Sequence, residues 1–497
     1  MALVTPEAPP RAGGRIRALS MPRAAGLVGL AAGVSSATLS WTPSYWGDEA
    51  ASVMSAQRSV PSLFLALGHI DAVHGLYYLF LHFWIRLVGV SEFAVRFPSA
   101  VGVAVAAVGV VLLTRQFSSQ RVAIIAGLAC AVLPRFTYMG MEARSYALST
   151  AIAVWLTVLL VVLVRTGSRR RLFWAAYLVL AAIGIWLFLY LGLLLIAHMA
   201  FILLDRRART VRRPWAIATG GALLLAAPIT LFAVQQRHQI AFLGTDHPLS
   251  VGVVLVEPWF GNAFLAVLGW ALMALAVAFA LRHRRYPASR LVLLSTVWLL
   301  APLLILVLAS ATVLPIYTVR YLSFATPAAA ILVALGINAL GRHWLRWVAI
   351  GLVIALAIPT WIDQRGEFAK DGGSDWRLMS EYIKSKSSTG DGIYFDPSTK
   401  PSQRPRLALH VYPTDFTNVT DVAIQTPFTK RTTLWDSAVP LAQLYPRLSG
   451  IHKLWVVDLA GSPEQTSGDQ RRILAGDGFH LAATTALHRS IVYEYTR

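Results

Sequence analysis

Long apolar stretches separated by short polar turns dominate the first 362 residues of the chain. A membrane-spanning helix needs about 20 residues that are mostly apolar. Eleven stretches meet or approach that length, although the one at 121–134 must be extended by its flanks. The pattern therefore predicts a polytopic α-helical membrane protein with about 11 transmembrane helices. They lie at residues 24–42, 94–114, 121–134, 145–164, 172–188, 190–204, 214–234, 263–281, 290–310, 322–340 and 343–361.

One further apolar run, at 75–88, contains His82 and Arg86 and is not counted as a span. With this run left out and the N-terminus inside, every arginine cluster between spans falls on the cytoplasmic side, as the positive-inside rule requires. Counting it as a span would move all of them outside. We therefore predict that residues 43–93 form one long outer loop with helices lying at the membrane surface. The clusters are Arg115/Arg121, Arg165 with Arg169–Arg171, Arg206–Arg213, Arg282–Arg290 and Arg342/Arg346.

The last part of the chain has a different pattern, in which short strands alternate with amphipathic helices. Helices are predicted at 375–387 and 470–475, and strands at 392–396, 454–458 and 491–493. This alternation predicts a small α/β domain on the outer side. The predicted organisation is a basic cytoplasmic N-terminus (1–23), a transmembrane domain (24–362) and a soluble extracytoplasmic α/β domain (366–497).

Composition agrees with a membrane protein: 56% of residues are hydrophobic and 14% are charged, against about 25% charged in soluble domains. The net charge of +20 does not indicate nucleic acid binding, because the arginines lie between spans, where they orient the protein in a membrane. With Cys130 as its one cysteine, the chain has no intramolecular disulfide. Richness in arginine and alanine suggests a GC-rich bacterial genome, and therefore the bacterial inner (plasma) membrane.

Two adjacent carboxylates, Asp48 and Glu49, follow the first predicted span on the outer side. Ionisable residues at membrane depth are costly and usually functional. A carboxylate in a partly buried site can act as a general base that takes the proton of an attacking hydroxyl. Because neighbouring residues on a helix point about 100° apart, only one of the pair is expected to reach a substrate. The alternative is that both acids only favour the first turn of a surface helix.

Other polar side chains capable of chemistry also fall on the predicted outer side. Arg144 and Arg320 stand at the outer ends of spans, where a guanidinium either holds a phosphate or anchors the helix at the interface. Glu142 has the alternative of pairing with Arg144. No spacing typical of metal ligands occurs, so no cofactor is indicated, and a divalent metal is left open. The candidate substrate-binding residues are His74, Tyr77, Glu142, Tyr190 and His238.

All of these residues are predicted on the same, outer side of the membrane, which makes a shared function more plausible than any one of them does alone. An acidic pair, two separated arginines, aromatic residues and an outer soluble domain suit a lipid-linked phosphate whose head group reacts outside the membrane. In this interpretation the arginines hold the phosphate leaving group, one carboxylate activates the acceptor, and a groove between spans holds the lipid.

Several motifs across residues 40–340 resemble, in their order, the family 39/83-type membrane glycosyltransferases of the GT-C class. That class includes protein O-mannosyltransferases, bacterial aminoarabinose transferases and mycobacterial mannosyl- and arabinosyltransferases. The resemblance implies a polyprenyl-phosphate sugar donor, inverting transfer outside the membrane, Asp48 as the essential acid, and Arg144 and Arg320 as ligands of the donor phosphate. Gly75 departs from a family pattern of His-Pro-Pro, and Leu189-Tyr190-Leu191 from one of His-Tyr-Phe. The motifs are Gly47-Asp48-Glu49-Ala50, His74-Gly75-Leu76-Tyr77-Tyr78, Trp84, residues 89–99, residues 143–148, and Arg320-Tyr321 with Pro327.

The sequence hypothesis is therefore an inverting glycosyltransferase whose catalytic residues are Asp48, the general base, and its neighbour Glu49. It is expected to move a sugar, mannose first and arabinofuranose second, from a polyprenyl-phosphate donor to a cell-envelope glycan, glycolipid or protein. Its partners are that donor, one of those acceptors and membrane lipids. The alternative is a transporter or flippase of a lipid-linked sugar. A transporter is expected to carry ionisable residues near the bilayer midplane, whereas these spans carry theirs at the outer ends.

Overall fold

The computed structural model describes residues 20–168, 170–240 and 249–497, so most of the predicted cytoplasmic N-terminus lies outside the described residues. Helices dominate the chain up to residue 363. They are α1 (Met21–Ala37), α2 (Gly47–Gln57), α3 (Val60–Leu67), α4 (Gly75–Val88), α5 (Glu92–Arg115), α6 (Gln120–Val132), α7 (Pro134–Met139), α8 (Tyr146–Thr166), α9 (Arg171–Leu187), α10 (Leu194–Leu204), α11 (Arg212–Gln235), α12 (Ala263–Arg282), α13 (Pro287–Thr312), α14 (Thr326–Ala339) and α15 (His343–Asp363).

Each of the eleven predicted spans coincides with a helix. Within the described residues, seven helical segments are long and apolar enough to cross a membrane, namely those built on α5, α8 and α11–α15. The other four predicted spans fall on α1, α6, α9 and α10, which have 17, 13, 17 and 11 residues. The polytopic helical architecture is therefore confirmed, and four of the predicted spans fall on helices of fewer than 18 residues.

Small residues let the central helices pack closely. A Cβ atom on Gly102 of α5 would stand 3.0 Å from the backbone carbonyl carbon of Ala147 on α8. One on Gly29 of α1 would stand 2.9 Å from the carbonyl oxygen of Ala104 on α5. Glycine at these two positions allows the backbones to approach, as is usual between membrane helices. The close packing fixes the outer ends of α5 and α8, which carry side chains of the site described below.

The predicted outer loop contains the short helices α2, α3 and α4. The helix predicted at 75–88 is confirmed as α4. It buries Tyr77 and Tyr78 and leaves Phe83 and Leu87 exposed. One apolar face thus packs on the protein while another stays uncovered, which fits a helix lying at a membrane surface.

After α15 the chain forms a five-stranded sheet with flanking helices. The strand order is β2-β1-β5-β7-β6. Strand β1 is parallel to β2 and β5, whereas β7 is antiparallel to β5 and β6. The elements are α16 (Trp376–Lys386), β1 (Asp391–Phe395), α17 (Ala408–Val411), β2 (Val419–Asp421), β3 (Ile424–Thr426), β4 (Ser437–Ala438), β5 (Lys453–Leu459), α18 (Pro463–Ser467), α19 (Asp469–Gly476), β6 (His480–Ala486) and β7 (Ser490–Thr496).

All five elements predicted for this tail are confirmed, as α16, β1, β5, α19 and β7. Strand β2 has only three residues, too few to show an alternating pattern. Strand β6 is rich in alanine and threonine and is largely exposed at the edge of the sheet. It therefore lacks the apolar alternation by which a strand is recognised.

The tail packs directly on the outer loop. Trp376 and Trp455 of the tail share one buried hydrophobic cluster with Tyr45 and Tyr77 of the loop. Arg58 at the end of α2 donates hydrogen bonds to two carbonyl oxygens of the tail, at 2.9 and 2.6 Å. The tail sheet and helices α2 and α4 are therefore joined by a common core.

Candidate active site

Asp48, in the first turn of α2, lies at the centre of a polar site. The helix begins at Gly47, where a Cβ atom would lie 2.1 Å from the carbonyl oxygen of Ser402 in the tail, so only glycine fits. Oδ2 of Asp48 forms an ion pair with Nη1 of Arg320 and lies 3.8 Å from Nη2 of Arg144. The carboxylate is 27% exposed. Two guanidinium groups from distant parts of the chain thus converge on one reachable carboxylate.

Arg320 reaches Asp48 from a 3₁₀ turn, Val319–Ala325, that leads into α14. Ser323 donates its hydroxyl to the carbonyl of Arg320 at 2.7 Å and fixes this turn. The guanidinium carbon lies 5.0 Å from the centre of the Trp46 ring, within cation–π range. Because the Arg320 side chain is 19% exposed, a ligand can approach the pair from the open side.

Arg144 is held more firmly, in the segment between α7 and α8. Its Nη1 donates to the carbonyl of Asp48 at 3.3 Å, to the hydroxyl of Ser52 at 3.3 Å and to the hydroxyl of Tyr78 at 3.4 Å. Its Nη2 lies 3.2 Å from Nε2 of His74. These partners lie on α2, on α4 and just before α4, so Arg144 ties the outer loop to the start of α8.

The two arginines keep Asp48 ionised. Burial by itself raises the pKa of the carboxyl group, but Arg320 and Arg144 together lower this pKa to about 2. A carboxylate with so low a pKa is a poor proton acceptor while both cations stay beside it. Moving either cation away would raise the pKa of Asp48 and make it a stronger base.

His74 is a neutral neighbour of this group. Burial lowers the pKa of His74 well below its usual range, and the adjacent Arg144 lowers it further. Nε2 of the neutral ring can therefore accept the hydrogen bond from Arg144. Beside it, Tyr78 donates its hydroxyl to Oδ2 of Asp71 at 2.8 Å. Asp71 has a left-handed backbone with φ of +58°, which is uncommon for a residue other than glycine.

Glu49, predicted as a catalytic residue with Asp48, points away from the open site. Its Oε2 and Oε1 lie 2.5 and 2.8 Å from Nη2 and Nε of Arg96. Oε1 also accepts a hydrogen bond from the backbone of Ala143 at 2.9 Å. Neither side chain of the ion pair is exposed. The structure thus places Glu49 in a buried bridge from α2 to α5, whereas the side chain of Asp48 is partly exposed.

Replacing Glu49 with glutamine is expected to destabilise the protein by about 3–5 kcal/mol, because Arg96 is left buried without its counter-charge. Thermal unfolding of the purified protein in detergent measures the loss. The double variant Glu49→Gln/Arg96→Met removes both charges and is expected to recover part of the stability. A single variant with wild-type stability and no sugar transfer would instead make Glu49 a catalytic group.

Glu142 and Tyr77, two predicted substrate-binding residues, are also buried, and within the described residues neither has a hydrogen bond or ion pair with Asp48. Glu142 lies 3.6 Å from Nη2 of Arg135, and the ion pairs of the described residues include none between Glu142 and Arg144. Tyr77 lies in the hydrophobic cluster shared with the tail, and its hydroxyl has no hydrogen-bond partner in the described part of the chain. Tyr78, its neighbour, is the tyrosine that contacts Arg144.

A largely apolar cavity of about 210 Å³ opens beside the site. His74 and Tyr190 line it, and Tyr190 stacks on Tyr321 with ring centres 4.7 Å apart. Such a lining suits a hydrocarbon chain that enters next to polar groups. His238, also predicted to bind substrate, is exposed on the turn after α11 and does not line the cavity. The other apolar lining residues are Val73, Phe188, Leu189, Ala233, Val234, Leu314, Ile316 and Tyr321.

Three residues in or beside the site lie in the motifs of the resemblance but are not among the predicted site residues. Arg96 had a detectable signal, since an arginine within an apolar helix is costly and usually has a partner. Tyr78 stands next to the predicted Tyr77, and the sequence alone does not fix which of two neighbours on a helix faces the site. Tyr321 follows Arg320 directly, but its stacking on Tyr190 joins segments far apart in the sequence.

Within residues 20–168, 170–240 and 249–497, no group of three or more His, Cys, Asp or Glu side chains is arranged to hold a metal ion. The charged side chains around Asp48 converge instead as carboxylate–guanidinium contacts.

The chain matches one protein-family model, described as dolichyl-phosphate-mannose-protein mannosyltransferase, over residues 76–232. Arg144 and Tyr190 fall inside the matched stretch, whereas Asp48 and Arg320 lie outside it. A search of curated protein sequences gave no significant match.

Solved structures of membrane glycosyltransferases resemble the whole chain. ArnT from Cupriavidus metallidurans, bound to undecaprenyl phosphate, matches with a TM-score of 0.55 and 14% identity over 95% of this chain and 97% of that one. The oligosaccharyltransferase of Archaeoglobus fulgidus, in complex with zinc and sulfate, matches with a TM-score of 0.51 and 11% identity over 95% of this chain and 73% of that one. The arabinofuranosyltransferase AftD from mycobacteria matches with a TM-score of 0.52 and 17% identity over 97% of this chain and 40% of that one. The chain has the GT-C glycosyltransferase fold.

Proposed function

We propose that the protein is an inverting glycosyltransferase that moves a sugar from a polyprenyl-phosphate donor to a hydroxyl of a cell-envelope glycan, glycolipid or protein. The observation that carries the proposal is the convergence of Arg144 and Arg320 on the reachable carboxylate of Asp48, beside an apolar cavity. This arrangement supplies cations for a phosphate, a base for a hydroxyl and space for a lipid.

Three comparisons support the choice of donor. The undecaprenyl phosphate bound to ArnT supports a polyprenyl phosphate as the lipid carrier. The description of the matching family model supports mannose as the sugar. The likeness to AftD supports arabinofuranose as the second choice. A test with both sugars therefore covers the range that the comparisons suggest.

In the first step the donor phosphate takes the place of Asp48. In the free protein, Asp48 is the counter-charge of Arg144 and Arg320. Phosphate oxygens accept paired hydrogen bonds from guanidinium groups and compete for them. When the arginines move to the phosphate, burial becomes the main influence on Asp48 and its pKa rises. Binding of the donor thereby turns an ion-pair partner into an effective base.

In the second step the acceptor oxygen bonds to the anomeric carbon of the sugar while the bond from that carbon to the phosphate oxygen breaks. The electron pair of the broken bond stays on the polyprenyl phosphate, and Arg144 and Arg320 stabilise its added charge. The proton of the acceptor hydroxyl goes to Asp48. Attack on the face opposite the phosphate inverts the anomeric configuration.

The apolar cavity is suited to the first isoprene units of the donor. His74, which contacts Arg144, also lines the cavity, so the polar and apolar parts of the site are continuous. Each buried methylene group contributes about 0.8 kcal/mol to binding. The lipid therefore supplies affinity, and the arginines fix the position of the phosphate.

We further propose that the site faces the outside of a bacterial plasma membrane. Two contacts join arginine-rich turns at the other end of the helices. Nη1 of Arg165 donates to the carbonyl of Gln116 at 2.9 Å, and Nη1 of Arg290 lies 3.4 Å from Oδ2 of Asp205. Arginine-rich turns are usually retained in the cytoplasm, which supports an outer position for Asp48 and the tail.

A reporter fused after residue 497 is expected to lie on the extracytoplasmic side of the membrane. A matched fusion in the turn between α8 and α9, after Gly167, is expected to give the opposite result. Alkaline phosphatase and green fluorescent protein fusions measure the two locations. A cytoplasmic signal from the C-terminal fusion would contradict the orientation.

The catalytic proposal is tested with the purified protein in nanodiscs. Radiolabelled polyprenyl-phosphate mannose and polyprenyl-phosphate arabinofuranose are supplied separately, with octyl α-D-mannopyranoside or a threonine-containing peptide as acceptor. Transfer of label from one donor, with inversion of the anomeric configuration seen by NMR, is the expected result. Retention of configuration, or no transfer from either donor to any acceptor, would contradict the proposal.

A further inference from the structure

The two sides of the Arg144 guanidinium differ in their contacts. Nη1 donates to the carbonyl of Asp48 at 3.3 Å and to the hydroxyls of Ser52 and Tyr78 at 3.3 and 3.4 Å. Nη2 lies 3.2 Å from Nε2 of His74 and 3.8 Å from Oδ2 of Asp48. Nε is buried and has no hydrogen-bond partner among the described residues. The protein therefore holds one side of the guanidinium, whereas the edge formed by Nε and Nη2 keeps donors without a close acceptor.

Arg96 shows what this edge of an arginine binds when it is filled. Its Nε and Nη2 lie 2.8 and 2.5 Å from the two carboxylate oxygens of Glu49. Two phosphate oxygens match a guanidinium edge in the same paired way. At Arg144 the ion-pair partner is Asp48, at 3.8 Å, which is the group that the donor phosphate displaces in the function proposed above. The edge formed by Nε and Nη2 is therefore the side of Arg144 on which a phosphate fits.

Tyr78 links the held side of Arg144 to Asp71. Its hydroxyl donates to Oδ2 of Asp71 at 2.8 Å and accepts from Nη1 of Arg144 at 3.4 Å. Burial, and then the negative charge of Asp71, raise the pKa of Tyr78 well above its ordinary value, so the hydroxyl keeps its proton. Burial also raises the pKa of Asp71, and Arg144 and the bond from Tyr78 oppose that rise. Because a carboxylate offers only acceptors, the proton of Tyr78 points to Asp71 and its oxygen faces Arg144.

Asp71 is itself held in a strained conformation. Its φ of +58° is uncommon outside glycine, and such strain persists where the surrounding structure enforces it. Two glutamines in the turn after α11 hold the backbone here. Oε1 of Gln239 accepts from the N–H of Asp71 and Oε1 of Gln236 from the N–H of Ala72, both at 3.0 Å, and Nε2 of Gln236 donates to the carbonyl of Leu67 at 2.9 Å. Both glutamines line the apolar cavity, so the cavity wall fixes the backbone that carries this carboxylate.

We infer that Asp71 is a positioning residue for the donor. Through Tyr78 it holds Arg144 so that Nε and Nη2 receive the oxygens of a lipid-linked phosphate. This inference rests on the proposed glycosyltransferase function. The bond from Arg144 to Tyr78 lies on the held side of the guanidinium, so it stays in place when the phosphate displaces Asp48. Affinity is gained because the arginine does not have to be ordered at the moment of binding.

The negative charge of Asp71 acts against this gain, because it repels a phosphate. Arg144 and Arg320 supply two positive charges beside the phosphate, whereas Asp71 reaches Arg144 through the neutral hydroxyl of Tyr78 and lies one contact further away. The inference requires that the ordering of Arg144 outweighs the repulsion. Removing the charge of Asp71 must therefore weaken phosphate binding.

The test measures the binding of undecaprenyl phosphate to the full-length protein in nanodiscs. Tyr78→Phe is expected to raise the Kd by about 3- to 10-fold, the effect of one hydrogen bond. Asp71→Asn keeps the shape of the side chain, suits a left-handed backbone, and is expected to raise the Kd by a similar or smaller factor. Tyr77→Phe is the matched control, because the hydroxyl of Tyr77 has no partner within the described chain, and it is expected to bind as the wild type does.

Double variants separate this positioning role from a general loss of structure. In the Arg144→Ala background, Tyr78→Phe and Asp71→Asn are expected to have no further effect on the Kd, because both act through Arg144. Thermal unfolding checks that every variant is folded. A further loss of binding in that background, an unchanged Kd in Tyr78→Phe, or a lower Kd in Asp71→Asn would overturn the inference.

Binding of undecaprenyl phosphate needs no sugar transfer, so its outcome is distinct from that of the catalytic proposal. Weaker binding in the two variants supports the positioning role even if the wild type transfers no sugar, in which case only the proposed function is contradicted. A wild type that transfers sugar, together with a Tyr78→Phe variant that binds equally well, contradicts the positioning role alone. Failure of the wild type to bind undecaprenyl phosphate would overturn both.

Discussion

Replacing Asp48 with asparagine is expected to lower sugar transfer by about 10²- to 10⁴-fold, the range that general base catalysis contributes. Asparagine keeps the shape of the side chain but cannot take the proton of the acceptor hydroxyl. Initial rates with the labelled donor, at saturating donor and acceptor, measure the effect. No other carboxylate among the described residues pairs with both Arg144 and Arg320, so a substitute base is not expected.

Asp48→Asn is also expected to fold normally. The side chains of Asp48 and Arg320 are partly exposed, and the buried Arg144 keeps its hydrogen bonds to Ser52 and Tyr78, in contrast to the sealed pair of Glu49 and Arg96. Size-exclusion chromatography and thermal unfolding check this point, with Asp469→Asn as a surface control. A folded Asp48→Asn protein with wild-type turnover would remove Asp48 from the role of base.

Replacing Arg320 or Arg144 with alanine is expected to weaken donor binding by about 10- to 100-fold, since a hydrogen bond to a charged group contributes about 1.5–3 kcal/mol and each 1.4 kcal/mol is tenfold. The donor Kd, from binding of labelled polyprenyl-phosphate sugar, is expected to change more than the acceptor KM. Arg472→Ala, on an exposed surface of the tail, is the matched control.

The two arginine variants are expected to differ in stability. Arg144 also contacts Ser52, Tyr78 and His74. Arg144→Ala is therefore expected to destabilise the outer loop as well as weaken donor binding. Arg320 is held mainly by Asp48 and the Trp46 ring, so Arg320→Ala is the cleaner test. An unchanged donor Kd in either variant would refute its contact with phosphate.

The helical part of the fold could be predicted because its signal is local. Runs of about 20 apolar residues such as those of α5 and α8 leave few alternatives in a membrane. The prediction was less accurate for elements whose apolar pattern is short or absent. Short α6 and α10 were predicted longer than they are, and β6 carries no apolar alternation because it is an exposed edge strand. The packing of Trp376 and Trp455 against the outer loop is a contact between distant segments that no local pattern reports.

The site was predictable in part for the same reason. Asp48, Arg144 and Arg320 lie at the outer ends of helices, where a charge is informative, and the structure brings them together. Glu49 and Tyr77 were each next to the residue that faces the site, and a sequence without a fixed helical phase does not distinguish neighbours.

Glu142 had a partner that no local pattern indicated. Its ion-pair partner is Arg135. The buried Lys370, more than 200 residues away in the sequence, also interacts with Glu142. Burial lowers the pKa of Lys370 to about 8, and the negative charge of Glu142 opposes this lowering. Such long-range pairs depend on the packing of the tail against the membrane part, which the sequence pattern did not predict.

The most direct measurement compares donor affinity and turnover in the same preparations of wild-type protein and Asp48→Asn. In the free protein the carboxylate of Asp48 occupies the arginines that we assign to the phosphate. Removing its charge is therefore expected to leave donor binding as tight as in the wild type or tighter, while turnover falls to about 1% or less. A variant that loses donor binding, or that retains wild-type turnover, would contradict the proposed exchange of Asp48 for phosphate at Arg144 and Arg320.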